Sequence, residues 1–178
     1  MTAPLSLTWH PITERPDLLA EPVRAALLTS PLREDIEVTE IDPDLADTAA
    51  LVEATDITLE ESANCIVVLG RRGEKEKVAA ALVLAHTRAD VNTTVRKSLD
   101  VRKASFMPME RAVEESGMEY GGITPVGLPA EWPVLVDAQV LEQPQVVIGS
   151  GLRRSKLRMP GALVATLPTV EVIEGLGR

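Results

Sequence analysis

Aromatic side chains are scarce in this sequence: Trp9, Phe106, Tyr120 and Trp132 are the whole set in 178 residues. The core must therefore be built from Val, Leu, Ile and Ala, and few platforms exist for stacking bases. Cys65 is the only cysteine, which excludes an internal disulfide and a cysteine-rich metal site. His10 and His86 lie far apart and match no metal-ligand spacing, so neither a metal nor a cofactor is expected. The longest apolar run, Val78 to Ala85, is too short to span a bilayer. Residues 1–20 show no basic start followed by an apolar stretch, so no signal peptide is read. Together these absences predict a protein of the reducing cytoplasm with no membrane partner. Several catalytic signatures are also missing: there is no Walker loop, no GxGxxG and no GxSxG.

What is present is an ordinary globular composition, 45% hydrophobic and 25% charged, enough to build one core and to argue against general disorder. The net charge of −9 speaks against non-specific DNA binding. Its distribution is uneven. Residues 1–62 hold 14 acids and 3 bases, whereas residues 71–103 hold 9 bases and 4 acids. One face could still meet a polyanion, with Arg71, Arg72, Lys97 and Lys103 as candidate contacts and Arg153, Arg154, Lys156 and Arg158 as a second set. The alternative is a solvated hairpin and helix carrying ordinary surface charge.

Local patterns predict an irregular arm over residues 1–15 and one domain over 16–178. A helix is expected from Pro16 to Thr29, with Leu19, Val23, Ala26 and Leu27 on one side. Alternation marks a half-buried strand at Ile36–Ile41, and Asp44 is placed to cap a helix running to Ala54. Ile66–Leu69 and Val78–Ala85 flank a charged, glycine-containing turn and read as a hairpin, although the alanine-rich second run could be helical. Asn92 is placed to cap a short helix to Leu99. Pro108 and Gly117 bracket another helix. Strands are expected at Val134–Asp137, Val146–Gly149, Lys156–Met159 and Val170–Ile173, with a short helix near Gly161–Leu167. Short strands mixed irregularly with helices point to an α/β or α+β fold, without strict βαβ alternation.

Between Tyr120 and Ala130, five of nine residues are Gly or Pro, so Gly121–Pro129 reads as a structured loop. Paired glycines let a ligand approach backbone N–H groups, and Pro125 and Pro129 stiffen the array. Such donors suit a carbonyl or an oxyanion; a loop that only packs is the alternative. Cys65, at the start of an apolar run, reads as a small hydrophobe rather than a nucleophile. Gly149-Ser150-Gly151 reads as a tight turn.

The stretch Ser116-Gly117 to Gly121-Gly122-Ile123-Thr124-Pro125-Val126-Gly127 resembles the signature of the YbaK/ProX-type aminoacyl-tRNA deacylase family, including its G-x-x-x-P loop. Val136-Asp137 and Val147-Ile148-Gly149-Ser150-Gly151 resemble that family's later strand and turn, and the likeness runs from about residue 24 to residue 174. The resemblance implies a mixed, partly barrel-like sheet flanked by helices. It also implies hydrolysis of the ester of mischarged tRNA, with the acceptor end of aminoacyl-tRNA as partner and no metal. In that family the terminal ribose hydroxyl assists water, and the protein supplies position and electrostatic stabilisation.

Carried over, the catalytic positions are Gly121, Thr124, Asp137 and Asn64. The last stands where the family has a lysine, a one-residue shift would place that lysine on Cys65 instead, and a distant base such as Lys97 or Lys103 could replace the cation. Gly122, Ile123, Pro125, Gly127, Tyr120, Gly149, Ser150 and Gly151 would bind substrate, with Met118 as a further wall. Asp137 could equally be a strand-end or helix-cap aspartate. Three readings stay open: a free-standing deacylase, a homologue impaired by the missing lysine that binds an aminoacyl or other small ligand, and an acidic interaction module. Oligomeric state is not legible.

Overall fold

A computed structural model describes residues 3–178. Residues 1 and 2 of the expected N-terminal arm lie outside the described residues. The rest of the arm is tied down: Leu5 bridges Thr55, and Ser6 Oγ donates to Asp56 at 2.9 Å. A two-residue strand, β1 (His10–Pro11), pairs antiparallel with β2 (Glu37–Glu40), the strand that alternation predicts.

The helix expected from Pro16 to Thr29 is split into a 3-10 turn at Pro16–Leu18 and α1 (Glu21–Leu28). Pro22 is the reason. Inside a continuous helix it would lack an N–H and clash with the carbonyl four residues back, whereas the first turn of a new helix accepts it. The freed backbone is used elsewhere: the Ala20 N–H donates to the Ser150 carbonyl at 3.1 Å, and Ser155 Oγ donates to the Leu18 carbonyl at 2.6 Å. Asp44 is not the cap of the next helix. Asp42 caps a 3-10 turn at Pro43–Leu45, and Asp47 caps α2 (Thr48–Ala54) by accepting from the Ala49 and Ala50 N–H groups. Each cap stands immediately before the first residue of its own turn, and Asp44 falls inside the first of them.

The hairpin forms from β3 (Ala63–Arg72) and β4 (Lys75–Leu84). The alanine-rich run is strand because β4 is central, with partners on both edges and Ala79, Ala80 and Ala81 fully buried. Tertiary burial there overrides the helix propensity of alanine. Asp90, not Asn92, caps a wide turn at Val91–Val95 that runs into α3 (Arg96–Ser98). A strand not foreseen, β5 (Lys103–Phe106), adds to the outer edge of β3. Helix α4 (Met109–Ser116) starts after Pro108 and ends at Gly117, which takes the left-handed conformation (φ +69°) that glycine adopts without strain. The loop from Gly121 to Pro133 carries no regular element. Then follow β6 (Val134–Asp137), α5 (Ala138–Leu141), β7 (Val146–Gly149), β8 (Ser155–Met159), a 3-10 helix at Gly161–Thr166 and β9 (Val170–Ile173).

The strands divide into two open sheets, ordered β1-β2-β8-β7 and β5-β3-β4-β6-β9. The β4–β6 and β6–β9 pairs are parallel and the others antiparallel, giving the mixed α/β sheet expected, with no closed barrel. The largest core cluster is shared by both sheets, with Leu82, Val134 and Val136 packed among Ile148, Leu157 and Met159. The sheets meet where Ser62 bridges Val147 and the Val147 N–H donates to the Glu61 carbonyl at 2.7 Å. Among the described residues no helix is long and apolar enough to cross a membrane.

Candidate active site

A cleft of about 600 Å³ opens at this junction of the two sheets. Its walls are Asn64 and Cys65 of β3, Gly149 of β7, Lys156 of β8, the start of α2 at Asp47 and Thr48, and the loop residues Tyr120, Gly121 and Ile123. Five of the positions that the resemblance assigns to catalysis or substrate binding therefore converge: Asn64, Tyr120, Gly121, Ile123 and Gly149.

The glycine loop is held from both sides. Arg153 donates through Nη1 to the Tyr120 carbonyl and through Nη2 to the Pro43 carbonyl, each at 3.0 Å, and its guanidinium lies 5.8 Å from the Tyr120 ring centroid. Gly121 adopts φ +81°, open to glycine and strained for other residues. On the opposite side the loop is pressed against β7. A Cβ on Gly149 would stand 2.5 Å from the Gly122 carbonyl oxygen, so only glycine lets the two backbones approach this closely. The Gly151 N–H donates to the same carbonyl at 2.7 Å.

Asn64 accepts a hydrogen bond from Thr48 Oγ1 at 2.8 Å through its side-chain oxygen. Its amide N–H donors have no partner among the described residues and can serve a ligand. Burial pushes the neighbouring Cys65 thiol up to about 12, which favours its protonated form near neutral pH. Lys156 is the residue that sequence reasoning misplaced among surface bases. It is only 8% exposed, and its Nζ donates to the Ala46 carbonyl at 3.1 Å. Desolvation lowers its pKa to about 8; the nearby Asp47 opposes that shift and Arg153 adds to it. The local sequence Ser-Lys-Leu-Arg-Met alternates like any half-exposed strand, so nothing near Lys156 signals that α2 and its preceding turn cover it.

Other expected positions lie elsewhere. Asp137 caps α5, accepting from the Gln139 N–H at 2.8 Å and from the Gly177 N–H, and it is buried away from the cleft. Thr124 is fully buried within the loop, and its hydroxyl has no partner among the described residues. Gly122 packs on the Leu152 backbone. Pro125 and Gly127 line a separate apolar hollow beside Leu27, Leu128 and Leu167. Ser150 is a buried strut bonded to Ser155, while Gly151 and Met118 pack together behind the loop.

The basic candidates also divide. Arg71 and Lys103 come together with Arg96, Arg102 and the exposed Phe106 around a shallow hollow, although Arg71 pairs with Glu76 at 3.0 Å. Arg72 pairs with Asp100 at 2.7 Å, and Lys97 sits on α3 outside this hollow. In the second set, Arg154 faces Asp17 and Glu40, and Arg158 pairs with Glu37 at 2.6 Å, so acids of the N-terminal third offset these two and not Arg153 or Lys156.

The model of the aminoacyl-tRNA editing domain family matches residues 42–167, a span that contains the entire cleft. None of the curated proteins is similar in sequence. Solved structures are. A protein described as a proposed trans-editing enzyme for prolyl tRNA synthetase superposes with a TM-score of 0.73 at 21% identity, covering 87% of this chain and 94% of that one. The hypothetical protein APE2540 gives 0.65 at 19% identity, over 79% and 90% of the two chains. A scaffold protein from epitope backbone grafting gives 0.73 at 20% identity, over 87% and 95%. At these identities the structures share the fold, while the family match spans most of the sequence: the chain belongs to the aminoacyl-tRNA editing domain family.

Proposed function

We propose that this protein is an aminoacyl-tRNA deacylase of the YbaK/ProX type, acting in trans on the acceptor end of mischarged tRNA. The observation that carries the reading is the convergence of Gly121, Ile123, Asn64 and Gly149 on one cleft at the sheet junction. In the reaction, water oxygen bonds to the ester carbonyl carbon and the bond from that carbon to the ribose oxygen breaks. One proton of water ends on the ribose hydroxyl, and the amino acid leaves as its carboxylate with the other proton released to solvent. The vicinal ribose hydroxyl orients the water. The protein contributes fixed backbone donors and the Asn64 amide, so catalysis is proximity and preorganised electrostatics without a protein nucleophile. A Cys65 thiol kept protonated by burial fits that scheme.

The rest of the tRNA has a candidate path. Asn64 and Arg71 are seven residues apart on one strand, about 23 Å at the usual rise. An acceptor end in the cleft therefore leaves phosphates within reach of Arg102 and Lys103. The second reading, a binding protein on an editing scaffold, is favoured by one observation: Asn64 is neutral where the resembled family has a lysine.

Purified protein incubated with Ala-, Cys- and Ser-charged tRNA separates the two. Turnover by the wild type, lost in Gly121→Ala, is the expected result. Absence of turnover on every tRNA, with undiminished tRNA binding, would favour the binding protein.

A further inference from the structure

Lys156 is an unusual group to find inside a cleft. Among the described residues no carboxylate lies within ion-pairing distance of it, and Ala46 supplies its one protein acceptor. An ammonium has three donors, so two remain for whatever enters. A buried cation with no carboxylate in contact is costly to maintain even with Asp47 nearby, and the cost falls when an oxygen ligand arrives. Its place is fixed by the sheet. Lys156 pairs with Gly149 on one side and Thr39 on the other, and the glycine leaves no side chain between the ammonium's strand and the loop. Asn64 lines the same cleft from the other sheet, with Asp44, Asp47, Cys65, Tyr120 and Arg153 as the remaining ionisable neighbours.

We propose that the Lys156 ammonium is the cation that meets the ligand's ester carbonyl oxygen in this cleft, supplied from β8 in place of the lysine that the resembled family carries on β3. The role rests on the deacylase reading, and it answers the one departure that speaks against that reading. It is electrostatic: the cation stabilises the negative charge that grows on the carbonyl oxygen as water adds. Lys97 and Lys103, the substitutes suggested by sequence, line no part of the cleft.

The test compares wild type, Lys156→Met and the double variant Asn64→Lys/Lys156→Met, with thermal melting to show that each folds. Methionine keeps the stem and removes a buried charge, so the fold is retained. Expected is a fall of about 10²-fold in hydrolysis for Lys156→Met, with at least a tenfold recovery in the double variant. Full activity in Lys156→Met overturns the proposal. So does a loss that Asn64→Lys leaves uncorrected, since Lys156 would then be a strut for the Ala46 carbonyl. If the wild type hydrolyses none of the tRNAs, the deacylase reading fails. The cation is then judged by affinity for a tRNA minihelix ending in a 3′-amide-linked alanine. A tenfold weaker Lys156→Met complex retains the proposal, and equal affinity, or no binding by any form, overturns it.

Discussion

Gly149 decides the shape of the site by what it lacks. The hydrogen in place of a Cβ lets the Gly122 carbonyl approach β7, and an added methyl would meet that oxygen at 2.5 Å. Gly149→Ala should therefore push the loop off the strand and destabilise the protein by about 1–3 kcal/mol. Urea titration measures the loss, and deacylation should fall further than stability predicts. Thr124 gives the opposite expectation. Its hydroxyl is buried with no partner, and an unsatisfied group of this kind costs about 1–3 kcal/mol. Thr124→Val should leave stability unchanged or raised by about 1 kcal/mol and leave turnover intact; a large fall in turnover would return Thr124 to the catalytic set. At this scale the sequence was half legible. Glycines that allow close approach identify themselves, because no other residue does that work. Asp137 and Thr124 do not, because a capping aspartate and a catalytic one look alike until their partners are seen.

At the scale of elements, helix ends were readable and helix starts less so. Gly117 was identifiable as the stop of α4 because a left-handed residue suits glycine. Gly117→Ala should cost about 1 kcal/mol, seen as a lower urea midpoint with unchanged slope. The break at Leu19–Ala20 was also written in the chain, as Pro22. Reading Pro16 as the start of one long helix overlooked that a second proline six residues on restarts it. Strand β5 was not legible, since four residues of Lys-Ala-Ser-Phe have no pattern of their own and pair only because β3 offers a free edge. The helical alternative for Val78–Ala85 fails for a related reason, as neighbours on both sides outweigh alanine's propensity.

For the whole molecule, charge placement matters more than its sum. The acids that crowd residues 1–62 pair with Arg154 and Arg158. The basic hollow around Arg102 and Lys103 stays free of them. Arg102→Glu/Lys103→Glu should weaken tRNA binding and flatten the log–log salt dependence by roughly one to two units. An unchanged slope would remove this face from the path of the tRNA. Global stability should also report the buried cation. Lys156 holds its proton less tightly in the folded protein, near 8 against the ordinary 10.5, owing to desolvation and Arg153 and despite Asp47. Below pH 8 both states are charged and burial carries its full penalty. Between about 8 and 10.5 the unfolded chain binds the extra proton, so this contribution to stability rises with pH. The stability advantage of Lys156→Met over wild type should accordingly shrink between pH 7 and 10. The wild type's deacylation, corrected for spontaneous hydrolysis, should decline above pH 8 as the cation is lost.

The junction that forms the cleft lies at the rim of the core that the two sheets share. Each sheet has its own ladder, but between them the backbone is stitched chiefly by the Ser62–Val147 bridge and the Glu61 carbonyl, with Arg153 spanning Tyr120 and Pro43. A local opening at this rim would erase the pocket while both ladders and the shared core survive. In a denaturant series, turnover should disappear at a lower urea concentration than far-ultraviolet circular dichroism, so that catalytic competence reports the closed rim and not the persistence of the fold; coincident loss would tie the rim to the core.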